Sequence, residues 1–208
     1  MRVVFFGDSI CFGEKVSPHK IWTTRIAREL EDRIGDDCLV INSSVNGNTT
    51  RLALERMPSD VQKYEPDAML IQFGMNDCNY WATDRGCPRV SPKAFQANLH
   101  EIADRSLAFG AHALILQTNH PTLRTTTFDY ADRSYQESNE QYNELIREVA
   151  GSRSDIRLID METAWLSELE EGLSLSGLLL EDELHLDVQG HDLYFKTTLG
   201  PVCESLGL

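Results

Sequence analysis

The chain has 208 residues, 41% hydrophobic and 25% charged, with a formal net charge of -14. That size and balance suit one globular domain, 1–208, long enough to bury a full core. The acidic excess argues against nucleic acid and anionic membrane surfaces as partners, because contact with either brings repulsion in place of counterion release.

The chain opens on four consecutive apolar residues, Val3 to Phe6, which run into Gly7-Asp8-Ser9. A β-branched and aromatic run this short predicts a strand buried on both faces, the central strand of a parallel sheet. Ligands in such sheets bind beyond the carboxyl ends of the strands, so Ser9 falls in position for chemistry, beside a glycine that lets the backbone turn. Residues 20–34 space Trp22, Ile26, Leu30 and Ile34 by four, an amphipathic helix stopped at Gly35. Residues 38–45 predict a second strand, and Asn46-Gly47-Asn48 a loop. Thr49 or Thr50 is then expected to cap a helix that breaks or restarts at Pro58.

Residues 68–73 predict a third strand, ending in Gly74-Met75-Asn76-Asp77. A long loop follows to Ser91-Pro92, a helix start, and that helix runs to Gly110. A fourth strand is expected over 112–118, then a loop opening at Asn119-His120-Pro121. A helix through Tyr135 and Tyr142 to Gly151, a fifth strand over 155–159 and a helix near 162–170 come next. A loop bearing Asp182 and His185 leads to a last helix through Tyr194 and Phe195. Strands alternating with helices imply right-handed crossovers and a parallel sheet between helical layers.

The unusual polar residues gather in loops that follow strands, and such loops share one edge of a parallel sheet. Acyl transfer by serine needs a nucleophile, a base, a group that orients the base, and donors for the developing oxyanion. Ser9, His185 and Asp182 supply the first three. The N–H groups of Ser9 and Gly47 with the Asn76 amide supply the donors. Asp8, the direct neighbour of Ser9, is read as fixing the turn. Asn46, Asn48, Asn79, Trp81 and His120 are weaker candidates for substrate contact. Asparagine is as often a turn former, and a loop histidine before proline is usually only exposed. Tyr80 and Phe73 are divided between core and pocket wall, with Trp81 the better wall.

Other chemistries fit less well. Cys11 stands where a Gly-x-Ser-x-Gly elbow needs its second glycine, and as a nucleophile it lies past the bend. His185, Asp187 and His191 lack a further ligand cluster, so no metal is expected, and no cofactor. The rival class, a nucleotide or flavin binder, wants a glycine-rich phosphate loop that the first turn does not offer. Five cysteines without paired spacing are expected to be reduced thiols. No stretch holds the ~18 apolar residues of a membrane span, and no signal-peptide pattern opens the chain. A cytoplasmic protein is therefore expected, without membrane insertion, with a homo-oligomer left open.

With these blocks in order, the chain resembles the SGNH or GDSL-type serine esterases and lipases. The resemblance rests on Gly7-Asp8-Ser9-Ile10, Gly47, Gly74-x-Asn76-Asp77 and Asp182-x-x-His185, from residue 3 to about 200. It implies Ser9 as nucleophile, His185 as base, Asp182 as its partner, and Ser9, Gly47 and Asn76 as the oxyanion hole. It also implies a three-layer α/β/α, flavodoxin-like fold with a five-stranded parallel sheet. Members include carbohydrate deacetylases, lysophospholipases, thioesterases and other ester hydrolases, and acyltransfer through the same serine stays open. Loops rich in Asn, Thr and Tyr favour a hydrogen-bonding pocket over a lipid channel. The expected substrate is thus a small-molecule ester with a short acyl group, such as acetyl, on a sugar-like or small polar alcohol.

Overall fold

Arg2–Gly7 forms the first strand, β1, of the computed structural model, which describes residues 1–208. Four more strands follow: β2 (Leu39–Asn42), β3 (Ala68–Gln72), β4 (Ala113–Gln117) and β5 (Ile156–Ile159). All pairings are parallel, and the order across the sheet is β2-β1-β3-β4-β5. β3 and β4 are buried along their whole length, and β1 is buried beyond Arg2, which is why these segments read as unbroken apolar runs. The edge strands are less covered, and Leu39 is half exposed.

β2 is shorter than the 38–45 expected: it ends at Asn42, whose carboxamide donates to the Cys11 carbonyl and the Thr23 hydroxyl. The backbone nevertheless stays beside β1: Ser43 N–H bonds the Phe5 carbonyl, and Val45 N–H bonds that of Gly7. This continued pairing carries Gly47 to the end of β1.

Seven helices complete the chain: α1 (Ser9–Phe12), α2 (Trp22–Ile34), α3 (Thr50–Asp60), α4 (Pro92–Ala108), α5 (Tyr135–Gly151), α6 (Met161–Glu170) and α7 (Val188–Leu206). The packing of α3 on α4 and α4 on α5 forms one layer, and that of α7 on α2 and α6 forms the other. Their starts follow local chemistry. Thr49 caps α3, Ser91 caps α4 ahead of Pro92, and Ser134 with Glu137 closes a capping box on α5.

The expected break at Pro58 does not occur, and α3 runs through it. Pro58 falls in the last turn, so its missing N–H removes only one bond from a helix that ends two residues later. One contiguous core of 44 buried apolar residues runs along the sheet. From β1 the chain winds outward to β2 and then crosses back to β3 on the other side of β1. The loops after β1 and β3 therefore part around a crevice.

Candidate active site

The crevice is built first by β1 and β3, whose register sets Gly7 opposite Gln72. Gly7 is needed for closeness rather than for a turn: a Cβ there would sit 2.7 Å from the Gln72 carbonyl oxygen and 2.6 Å from Cys11 Cβ. Asp8 then caps α1, accepting Ile10 N–H at 3.0 Å. Its full burial, with Asp77 adding repulsion, raises its pKa to about 7. Ser9 opens α1 and lines a cleft of about 200 Å³ together with Asn46, Gly47, Asn76 and His185.

The Asp182–His185 turn lies across this cleft from Ser9. Asp182 Oδ1 accepts the backbone N–H groups of Leu184 (3.2 Å) and His185 (2.9 Å), so the aspartate folds its own turn. Its Oδ2 then meets the imidazole three residues on, 2.8 Å from His185 Nδ1. A carboxylate only accepts, which places the proton on Nδ1 and leaves Nε2 as the acceptor. Nε2 lies 2.9 Å from Ser9 Oγ, across 176 residues of sequence. The turn also holds Glu183 at φ 65, a left-handed backbone uncommon outside glycine.

Two cations surround Asp182. Lys15 donates to Oδ2 at 2.8 Å, the same oxygen that receives His185. Arg124 donates twice to the Asp182 carbonyl, at 3.0 and 2.8 Å. Partial burial opposes ionisation of Asp182, but the hydrogen bonds from Lys15 and His185 outweigh it and hold the carboxyl well below the usual carboxylate range.

Three donors belong to residues that line the cleft. Ser9 N–H and Gly47 N–H have no acceptor within the protein. Gly47 holds φ +72, with nothing within 4 Å of where a Cβ would stand. The Asn76 carboxamide has its Oδ1 on Arg89 at 3.2 Å, and its Nδ2 lies a long 3.4 Å from Asp8 Oδ2. Beside Asn76, Asp77 accepts Thr50 N–H at 2.9 Å, and burial raises its pKa to about 6.

Of the residues expected to touch substrate, only Asn46 lines the cleft, and its amide is held on Glu14. Asn48 is buried and accepts Arg56 Nε–H at 2.9 Å, so it braces α3 instead. Asn79 accepts Tyr80 N–H at 2.8 Å as a turn former away from the cleft lining. Trp81 is half exposed and is no wall: its ring stacks on the Arg89 guanidinium at 4.4 Å. Tyr80 and Phe73 are buried.

His120 is neither exposed nor at the cleft. It is fully buried, with Nδ1 2.7 Å from the Tyr194 hydroxyl and Nε2 2.8 Å from the Leu184 carbonyl. The loop after β4 turns inward here because Asn139 and Asn143 of α5 bond the carbonyls of His120 and Asn119, each at 2.9 Å. Cys11 is buried, which pushes its thiol up to about 12. Asp187 caps α7 through Gly190 N–H, and His191 is buried with Nδ1 accepting Trp22 N–H.

Lys15, Arg89 and Arg124 carried no motif in the sequence. Each lies in a loop and meets its partner only through the fold. The one cue was sign: they are cations in a strongly acidic chain.

A flavodoxin-like sheet bearing a serine, an imidazole and a carboxylate in hydrogen-bonded series at its carboxyl edge has the donor order that serine acyl chemistry requires. The chain belongs to the GDSL-like lipase/acylhydrolase family, whose sequence model matches residues 5–193. An arylesterase of Vibrio mimicus is 31% identical over 120 residues, 58% of this chain and 56% of that protein. The esterase TesA of Pseudomonas aeruginosa is 30% identical over 110 residues, 53% and 50% respectively. The chain thus spans about half the length of the curated relatives it matches. Among solved structures, the acetylxylan esterase Axe2 of Geobacillus stearothermophilus superposes with a TM-score of 0.76. That match covers 100% of this chain and 94% of that one at 20% identity, a likeness of fold.

Proposed function

We propose that this protein hydrolyses carboxylic esters through an acyl-enzyme on Ser9. The observation that carries the reading is the unbroken series Asp182 Oδ2, His185 Nδ1, His185 Nε2, Ser9 Oγ, with links of 2.8 and 2.9 Å. Ser9 Oγ attacks the ester carbonyl as His185 Nε2 takes its proton, and Asp182 stabilises the imidazolium that forms. The carbonyl oxygen becomes an oxyanion received by Ser9 N–H, Gly47 N–H and Asn76 Nδ2–H. Collapse breaks the bond to the alcohol, which leaves with the proton from His185. Water, deprotonated by the same Nε2, then attacks the acyl carbonyl; collapse breaks the bond to Ser9 Oγ, which regains the proton.

The substrate is an ester of a short acyl group, such as acetyl, with a sugar-like or small polar alcohol. Two features support this. The cleft at Ser9 is small, and only Met75 and Leu184 line it with apolar side chains. A second cleft of about 460 Å³ flanks the outer side of the Asp182–His185 turn, lined by Arg124, Phe128, Tyr130 and Glu183. The Phe128 and Tyr130 rings stack there at 5.4 Å, a surface suited to an alcohol with both apolar and hydroxylated faces. The arylesterase and acetylxylan esterase relatives agree with ester chemistry on this fold. No helix is long and apolar enough to cross a membrane. We place the enzyme in the cytoplasm, where five free thiols would stay reduced.

A p-nitrophenyl ester series tests the acyl group: rates are expected to peak at acetate to butanoate. Rates that climb steadily to decanoate would overturn the short-acyl reading. Fluorophosphonate labelling of the wild type that persists in Ser9→Ala would overturn the nucleophile.

A further inference from the structure

We propose that Arg89 is the positioning residue of the oxyanion hole, clamping its two separate loops, Gly47 and Asn76, into one receptor. The inference rests on the ester-hydrolase reading above. One guanidinium spans both loops: Nη1 donates to Asn76 Oδ1 at 3.2 Å and Nη2 to the Gly47 carbonyl at 3.2 Å. These loops follow different strands, β3 and β2, and neither bonds the other directly at these residues.

The clamp matters because a carboxamide is nearly symmetric in shape but opposite in chemistry at its two ends. Rotation by half a turn would aim Asn76 Oδ1, an acceptor, at the oxyanion and abolish its stabilisation. Arg89 donates and never accepts, so only the oxygen end of Asn76 satisfies it. Asp8 is a weak guard of the same orientation, since its contact with Nδ2 is long at 3.4 Å and its pKa near 7 lets it protonate. The second arm of Arg89 fixes the peptide after Gly47, a cleft-lining residue of left-handed φ +72 whose own N–H has no acceptor in the protein.

Local structure explains how a residue 13 positions beyond Asn76 returns to it. The chain leaves at Asn79 and closes again through Arg89 N–H to the Asn79 carbonyl (2.9 Å) and Val90 N–H to the Asp77 carbonyl (3.2 Å). Tyr80 and Pro88 bridge the same neck. Trp81, from the near side of this excursion, stacks on the guanidinium at 4.4 Å and holds its plane.

Arg89→Met should lower kcat about 10- to 100-fold, below the roughly 10²- to 10³-fold lost when an oxyanion donor itself is removed, with KM changed less than about threefold. The rate of fluorophosphonate labelling should fall in parallel, because the phosphonyl oxygen needs the same donors. Arg89→Lys keeps one point donor and should fall between, and Trp81→Ala should lose the least. In an Asn76→Ala background, Arg89→Met should cost clearly less than alone, because one of its two targets is gone. Melting temperatures are measured alongside, and if Arg89→Met fails to fold, Arg89→Lys and its cycle with Asn76→Ala decide. A folded Arg89 variant with wild-type kcat, a rise in KM alone, or full additivity with Asn76→Ala would sink the clamp. A wild type that neither hydrolyses esters nor labels at Ser9 would instead sink the ester-hydrolase reading.

Discussion

Two imidazoles meet at Leu184, His185 as its neighbour in the chain and His120 through its carbonyl, and they differ in what surrounds them. His185 and His120 are each hydrogen-bonded at both ring nitrogens. His185 bonds an ionised carboxylate and a hydroxyl at an open cleft. His120 bonds the Tyr194 hydroxyl and the Leu184 carbonyl in a sealed layer between Trp165 and Tyr194. The carbonyl requires a proton on His120 Nε2, leaving Nδ1 to accept from tyrosine, so the neutral ring is fully satisfied. Burial drives its pKa down to about 3. One histidine faces a carboxylate that stabilises its cation, while the other has only the Leu184 carbonyl, which burial outweighs, so the first is suited to exchange protons and the second to hold the first in place.

The contrast is broken most severely at the open histidine. Ser9→Ala and His185→Ala should each lower kcat by about 10⁴-fold or more, measured with p-nitrophenyl acetate. Residual turnover above a few per cent in either would mean the series carries no chemistry. Asp182→Asn should cost about 10²- to 10⁴-fold while leaving the fold intact, because the amide tolerates the wrong tautomer of His185. A circular-dichroism melt matching wild type checks that the loss is chemical.

Changes at the buried histidine should strike stability more than turnover. His120→Leu leaves the Leu184 carbonyl and Tyr194 hydroxyl without partners, and should destabilise by about 2 to 4 kcal/mol with kcat falling about tenfold. Equal catalytic loss at His120 and His185 would mean that the two histidines do not differ in role.

pH separates them further. His120 near 3 and His191 near 4 both lie below the ordinary 6.5 through burial. Their stabilising contribution is full above pH 6.5 and is lost as pH falls toward those values. Asp8 acts in the opposite sense: raised to about 7, it contributes fully below its ordinary 3.8 and loses that contribution as pH climbs through 7. Thermal melts should therefore weaken on both sides, and His120→Leu should flatten the acid limb.

The smallest effect is expected at Lys15, whose side chain is more than half exposed. Lys15→Met leaves Asp182 Oδ2 to His185 alone and should lower kcat/KM for p-nitrophenyl acetate by about threefold or less. A loss above about tenfold would show that this exposed cation belongs to the working site.

Much of the site was legible because its determinants are local. Val3 to Phe6 ending at Gly7-Asp8-Ser9, and Asp182 three residues before His185, are short patterns whose geometry follows from strand, turn and spacing alone. Pro58 was misread because proline's penalty depends on how much helix follows it, and only one turn was at stake. His120 and Trp81 were misread because burial is a property of the whole packing: nothing near His120 in sequence announces Tyr194 or Leu184, and nothing near Trp81 says that Arg89 lies beneath it.

The sequence by itself determined the order of the strands' chemistry, the apolar runs that must form a two-sided core, and the loops that must share its carboxyl edge. Those are consequences of periodicity and chain direction, which act over a few residues. The tertiary structure alone decided which cations meet Asp182, which guanidinium joins Gly47 to Asn76, and which histidine is sealed. Those contacts link residues from 13 to 167 positions apart. Their energy depends on distance and dielectric, and both are set only when the layers close.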